Sequence, residues 1–131
     1  MPYLQYNPAQ HLAQMGVKVD YIDGLDVCGQ YIHEERRVEI RAGLDPVIER
    51  SVLAHEAAHA ELGHQPQVAW CHELKQERVA NSMAGRRLIN FRKFMELQGD
   101  GRSEKDICAE LGVARIVLRA YTWLMAPAWD A

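Results

Sequence analysis

The stretch VLAHEAAHAELGH, residues 52–64, places three histidines and two glutamates in an otherwise apolar run. Residues four apart project side by side from a helix, so His55 and His59 can reach one metal ion together. Residues 55–59 form the arrangement HExxH, in which the two histidines bind zinc and Glu56 acts on the metal-bound water. The spacing therefore predicts hydrolytic metal chemistry on this helix.

A third ligand is expected from the next helix. Its apolar residues recur at a 3-4 spacing that predicts a core-facing seam: Leu74, Ala84, Leu88, Phe91 and Met95. Glu77 and Asn81 interrupt this seam with polar groups. An unpaired buried carboxylate is costly, so we expect Glu77 to bind the same ion and Asn81 to hydrogen-bond a histidine or the carboxylate. Glu61, Glu73 and His72 are the alternative third ligands.

Two histidines, one glutamate and an open position for water are typical of a catalytic rather than a structural zinc site. The histidines share a helical stripe with three apolar residues, which predicts that they point inward: Ile48, Val52 and Leu62. HExxH also occurs by chance in helices, so an accidental match is the alternative. His64 lies beyond Gly63 and off the stripe, and we interpret it as a loop histidine.

Short elements should precede the motif helix and position it. A helix is predicted over 8–15, and Asp45 and Gly63 are typical first and last flanking residues of the motif helix. Three runs alternate apolar and polar residues and predict strands: 17–22, 30–33 and 37–41. The run EERR, residues 34–37, predicts a hairpin turn. We therefore expect an α+β fold with a small, mostly antiparallel sheet packed on the motif helix.

The second ligand-bearing helix is predicted from about Cys71 to Leu97 and ends at the GDG run, residues 99–101. We place a boundary there, between a zincin-like metallopeptidase domain over 1–98 and a helical tail over 99–131, packed on the same domain. In the tail, Gly112 separates two helices in the rhythm of a helix-turn-helix unit. Its packing residues are predicted to be Ile107, Leu111, Val113, Ile116 or Val117, and Leu118.

Composition restricts the function classes. The chain has 131 residues and a net charge of -3 with acids and bases mixed along it, so neither nucleic acid nor a membrane is expected as a partner. The three cysteines are widely spaced and form no CxxC pair, which is typical of free thiols in a reducing compartment. No basic and apolar leader and no long apolar run are recognisable, so the cytoplasm is the expected location.

Two segments resemble the ImmA/IrrE family of zinc metallopeptidases: HEAAHAELGH at 55–64 and KQERVANSMAGRRLI at 75–89. In the family, HExxH is followed by a helix bearing E-x-x-A-N/D-x-x-A, which falls here on Glu77, Ala80, Asn81 and Ala84. The resemblance covers about residues 17–97. It implies a gluzincin-like fold, a zinc ion and site-limited cleavage of a helix-turn-helix repressor, often one that controls a phage or mobile element.

The mechanism expected from these residues uses Glu56 as general base and needs a second donor for the developing oxyanion. The candidates for this donor, or for a substrate contact, are four: Tyr31, His33, His72 and Tyr121. The alternative function is a DNA-binding or protein-interaction regulator whose metal site is structural or vestigial. The tail offers few basic side chains for DNA binding, so a packing or substrate-docking role is favoured for it. Substrate, cleavage site, activating signal and oligomeric state stay open.

Overall fold

A three-stranded sheet and a group of helices meet along one central helix in the computed structural model of the protein. The structure describes residues 5–65 and 70–129, with the side chains of 70–73 and 124–129 outside the description. The predicted α+β class is confirmed. Among the described residues, no helix is both long and apolar enough to cross a membrane. The elements run in the order α1 Pro8–Gln14, β1 Lys18–Ile22, β2 Gly29–Ile32, a 3-10 turn His33–Glu35, β3 Arg37–Arg41, α2 Pro46–Leu62, α3 Trp70–Leu88, α4 Phe91–Gly99, α5 Glu104–Leu111 and α6 Arg115–Trp129.

The sheet is mixed, with strand order β1-β3-β2. The hairpin of β2 and β3 is antiparallel, with Tyr31 opposite Val38, whereas β1 and β3 are parallel, with Val19 also opposite Val38. The expected antiparallel arrangement therefore holds for β2 and β3 only. The chain reverses between β1 and β2 and again in the hairpin, so β3 returns beside β1 in the same direction. The hairpin turn closes through Arg36, whose left-handed φ of 49° ends the 3-10 turn.

Helix α2 has the predicted bounds. The Asp45 carboxylate accepts a hydrogen bond of 2.9 Å from the Val47 amide, Pro46 follows the cap, and Gly63 ends the helix in the left-handed conformation at φ 65°. The residues that α2 buries against the sheet and α1 are small or aliphatic: Leu53, Ala57 and Ala60, packed with Leu12, Val38 and Ile40. Leu62 is exposed, so the stripe through His55 and His59 borders a cleft instead of the deepest core.

The prediction of a single helix over 71–97 is wrong, because the helix is interrupted between Leu88 and Phe91 and the chain continues as two helices, α3 and α4. Asn90 is extended, and its side-chain oxygen accepts a hydrogen bond of 3.0 Å from the Lys93 amide, which starts a new helix. The break changes which face of α4 is buried. Phe94 and Leu97 lie in the core, whereas Phe91 and Met95, which the continuous seam placed inside, are exposed.

The tail packs on the helices that precede it. Ser103 caps α5 through the Asp106 amide at 3.1 Å, and Gly112 turns the chain at φ 67°. One apolar cluster joins the tail to α2, α3 and α4 and includes Ala54, Ala84, Leu88, Phe94, Ile107, Leu111, Val113, Val117, Leu118 and Tyr121. Of the two predicted alternatives in α6, Val117 is buried and Ile116 is exposed. The division into two domains stays a prediction.

Candidate metal centre

Three side chains converge where α2 and α3 face each other. The two carboxylate oxygens of Glu77 lie 2.8 Å from His55 Nε2 and 2.9 Å from His59 Nε2, and the two Nε2 atoms are 3.0 Å apart. All three residues offer a ligand atom within one small volume, so this group could hold a metal ion. The spacing of four on α2 produces this geometry because it stacks the imidazoles, whose ring centres are 4.6 Å apart.

The Nδ1 atom of each histidine, which is not the one that faces Glu77, also has a hydrogen-bond partner. His55 Nδ1 lies 2.7 Å from Asn81 Oδ1, and His59 Nδ1 lies 2.9 Å from His64 Nδ1. Such partners fix the ring orientation and leave Nε2 directed at a common point. Asn81 stands one turn after Glu77 on α3, so one helix supplies both the carboxylate and the outer partner of His55.

The contact between His64 and His59 was missed by the sequence analysis, which placed His64 in a loop without a role. The left-handed Gly63 turns the chain back over the end of α2, and the His64 amide donates a 3.0 Å hydrogen bond to the His59 carbonyl. This turn brings the His64 ring beside His59. The glycine that ends the helix was the available signal, because a left-handed cap returns the next residue toward the last turn.

Glu56 lies beside the convergent group but is not part of it. Glu56 is only 5% exposed, and its side chain lies on the side of α2 that faces β2. A Cβ placed at Gly29 of β2 would be 3.5 Å from Glu56 Oε2. Burial raises the pKa of the Glu56 carboxyl, while the nearby His55 and His59 act in the opposite direction. Glu56 is thus a shielded carboxyl with increased proton affinity at the edge of the cleft.

The charges of the group are strongly coupled. Hydrogen bonds from His55 and His59 lower the pKa of the Glu77 carboxyl far below its ordinary value. Burial alone would lower the pKa of His55, but the Glu77 hydrogen bond and the charges of Glu56 and Glu77 outweigh it and raise that pKa. The Glu77 side chain is 55% exposed, so the burial assumed for it in the sequence analysis is wrong, and the two histidines are what retain it.

Tyr31 lines the same cavity as the three convergent residues, a cleft of about 510 Å³. Its hydroxyl lies 2.8 Å from His33 Nδ1 and accepts a hydrogen bond of 2.9 Å from Arg36 Nη1. Arg36 also donates to the Met15 carbonyl at 3.0 Å, which ties this cluster to the end of α1. The hairpin turn therefore holds the Tyr31 hydroxyl at the border of the cleft.

The other predicted candidates are placed differently. Tyr121 is buried in the helical cluster, with its ring centre 5.1 Å from that of Phe94, and it does not line the described clefts beside the convergent group. His72 belongs to α3, but its side chain lies outside the described residues, as does that of Glu73. Glu61 forms an ion pair with Arg87 and is not part of the convergent group.

A sheet packed on an HExxH helix, with a glutamate from the following helix completing the group, defines a metallopeptidase-type centre. The sequence model of Peptidase_M78, described as an IrrE N-terminal-like domain, matches residues 12–120. This span is most of the chain, so the protein belongs to this ImmA/IrrE family of peptidases, and the predicted resemblance is confirmed. None of the curated proteins compared with the chain matches it.

Proposed function

We propose that the protein is a zinc-dependent endopeptidase that cleaves a regulatory protein at a limited number of sites. The observation that carries this proposal is the convergence of His55, His59 and Glu77 next to the buried carboxyl of Glu56, in a chain of a peptidase family. This arrangement has the composition of a catalytic zinc site, with three protein ligands and room for water.

The residues present fit zinc rather than a harder ion. Two imidazole nitrogens and one carboxylate oxygen suit zinc, whereas calcium and magnesium prefer oxygen ligands alone. The Nδ1 contacts to Asn81 and His64 leave both Nε2 atoms available as ligands. A zinc ion held by His55, His59 and Glu77 would supply Lewis acidity, which would lower the pKa of water toward neutrality and polarise a carbonyl.

Glu56 acts as the general base in this proposal. Its carboxylate takes a proton from the attacking water as the oxygen bonds to the carbonyl carbon, and it returns that proton to the amine when the C–N bond breaks. Glu56 is only 5% exposed, so bulk water is largely excluded from both proton transfers. Glu56 and Tyr31 line the same cavity, which supports their joint action on one substrate.

Tyr31 is our proposed second donor to the oxyanion. It lines the cleft, and its hydroxyl oxygen accepts a hydrogen bond from Arg36, so the hydroxyl proton is the part of this group that can be donated to a developing negative charge. His33 holds the same hydroxyl from the other side at 2.8 Å. Of the predicted candidates whose side chains the structure describes, Tyr31 is the one that lines the cleft beside the convergent group.

The proposed substrate is a helix-turn-helix transcriptional repressor in the cytoplasm, which is what the ImmA/IrrE resemblance implies. The alternative, a DNA-binding regulator with a vestigial metal site, draws on the turn at Gly112 between α5 and α6. The two arginines of α6, Arg115 and Arg119, form ion pairs of 2.9 and 3.1 Å with Glu104, which reduces the positive charge that this pair of helices offers to DNA. We therefore rank the alternative second.

The proposal is tested with the Glu56→Gln variant. The substitution preserves the shape and the zinc ligands but removes the base, so we expect an unchanged zinc content and a loss of cleavage of about 10²–10⁴-fold. Purified protein is incubated with a candidate repressor, with and without a chelator, and the fragments are identified by mass spectrometry. Undiminished cleavage by the variant would refute the mechanism. Absence of cleavage by the wild-type protein, together with its retardation of a DNA fragment in a native gel, would favour the DNA-binding alternative.

A further inference from the structure

A second cavity of about 360 Å³ lies on the other side of the convergent group. It shares Gly29, His55, Glu56 and Glu77 with the first, so the two form adjoining halves of one cleft across the metal centre. We call the second the apolar cavity, because most of its remaining lining is hydrocarbon: Ile48, Val52, Ala114, Ile116 and Val117, with Cys28, Ser51 and Asn81.

The two halves differ in chemistry. The first cavity adds mainly polar groups to the shared residues: Gln30, Tyr31, His59, His64, Gln65 and Gln76, with Leu74. Hydroxyl, amide and imidazole groups suit the polar backbone of a peptide, whereas the apolar cavity offers few partners to a charged side chain. The carboxylates of Glu56 and Glu77 at the shared boundary further disfavour an acidic side chain on either side.

One wall of the apolar cavity comes from the tail, and it is fixed to α2. The Ala114 amide donates a 2.9 Å hydrogen bond to Ser51 Oγ, and Arg50 Nη1 donates to the Gly112 carbonyl at 3.2 Å. Val117 is buried in the helical core, so the first turn of α6 cannot shift without disturbing that core. The wall is therefore preformed, as binding pockets usually are.

Ile116 stands on this wall with 61% of its surface exposed. A large aliphatic side chain at this exposure gains free energy when an apolar ligand covers it. The volume of the cavity lies in the range of ordinary ligand pockets, so it has room for one side chain of aliphatic or aromatic size.

We propose that the apolar cavity receives an aliphatic side chain of the peptide substrate next to the scissile bond, and that Ile116 of the tail is a specificity-determining residue. This inference rests on the proposed endopeptidase function. It assigns the tail a direct part in substrate selection, because the wall around Ala114, Ile116 and Val117 borders the convergent group itself.

The test uses small metal-binding probes instead of an unidentified substrate. Acetohydroxamate and the hydroxamates of Nα-acetylated glycine, leucine and lysine are titrated calorimetrically into the zinc-loaded full chain. All four carry the hydroxamate as the anchor on the metal. The glycine, leucine and lysine compounds differ from one another only in the side chain, and acetohydroxamate lacks the acetylamino group as well. We expect the leucine compound to bind at least about tenfold more tightly than the glycine compound, the discrimination that a hydrophobic pocket gives for a few methylenes.

The Ile116→Asp variant should lose the preference for leucine and bind the lysine compound more tightly than the leucine compound, because a carboxylate then lines the cavity. Because Ile116 is exposed, the fold should tolerate the change, and thermal unfolding checks it. The matched control is Val79→Asp, at an exposed aliphatic position of α3 that lines neither cavity. This control should keep the wild-type order.

Two outcomes overturn the inference by itself: equal binding of the leucine and glycine compounds, or an unchanged leucine preference in Ile116→Asp. Failure of acetohydroxamate to bind the zinc-loaded protein would instead overturn the proposed metal centre, and the inference with it. The two failures are thus separated by whether acetohydroxamate binds.

Discussion

His55 and His59 each use both ring nitrogens, one toward Glu77 and one toward an outer partner. The outer contacts matter for chemistry because a metal ligand must present a lone pair, and the hydrogen bond at Nδ1 decides which tautomer does so. At the residue scale, the metal-binding part of the candidate site is therefore five side chains: His55, His59 and Glu77, with Asn81 and His64 positioning the two histidines.

Asn81→Ala should weaken zinc binding about 10–100-fold, the usual effect of removing a partner from outside the ligand set. The reason is that His55 Nδ1 loses its 2.7 Å partner and the ring is freed to rotate. Zinc affinity is measured by competition with a chromogenic chelator. Asn81→Asp, which keeps an acceptor oxygen, is the control and should retain most of the affinity. Equal zinc affinity of Asn81→Ala and the wild type would contradict the positioning role.

At the scale of elements, β2 approaches α2 closely, so that Gly29 of β2 and Glu56 of α2 line the same cleft. Gly29 makes this approach possible, because a Cβ there would lie 2.6 Å from Val52 Cγ1 and 3.4 Å from the Glu39 carbonyl oxygen. Neither atom can easily move, since valine is stiff at χ1 and the carbonyl belongs to β3. The absence of a side chain at Gly29 thus sets the distance between the sheet and the motif helix.

Gly29→Ala should lower the free energy of unfolding by about 1–3 kcal/mol, the usual cost of overpacking. Urea denaturation measures the change. Gly99→Ala is the control, because no atom lies within 4 Å of a Cβ placed there, and it should change stability little. The double variant with Val52→Ala should lose less than the sum of its single changes, since the clash is shared. Strict additivity would show that the contact with Val52 is not the cause.

At the scale of the whole molecule, the candidate ligands come from two different helices. His55 and His59 belong to α2 and Glu77 to α3, so a bound ion would link the helix next to the sheet with the helix next to the tail. A ligand that binds only the folded state stabilises it in proportion to the logarithm of its concentration.

Zinc at 100 times its dissociation constant should therefore add about 2.7 kcal/mol to the free energy of unfolding. Thermal unfolding with zinc and then with excess chelator measures this difference. The variant His55→Ala/His59→Ala lacks two ligands and should unfold at the same temperature under both conditions. A wild-type transition that zinc leaves unmoved would contradict the metal centre.

Local patterns were sufficient for much of this protein. Asp45 and the glycines at 63 and 112 predicted helix boundaries because capping depends only on neighbouring residues. The convergent group was likewise predictable, since a spacing of four on one helix and a polar interruption on the next are local properties. The family followed from the same two segments, 55–64 and 75–89.

Other features depend on contacts between distant segments, and only the tertiary structure decided them. The parallel pairing of β1 with β3, the exposure of Glu77 and the ring contact of His64 with His59 follow from packing. The break at Asn90 is local, yet an asparagine can either cap a helix or lie inside one. The broken helix is the arrangement in which Phe94 is buried. Hydrogen bonds between α2 and the tail likewise bring Ile116 to the cleft, which no spacing within either segment encodes.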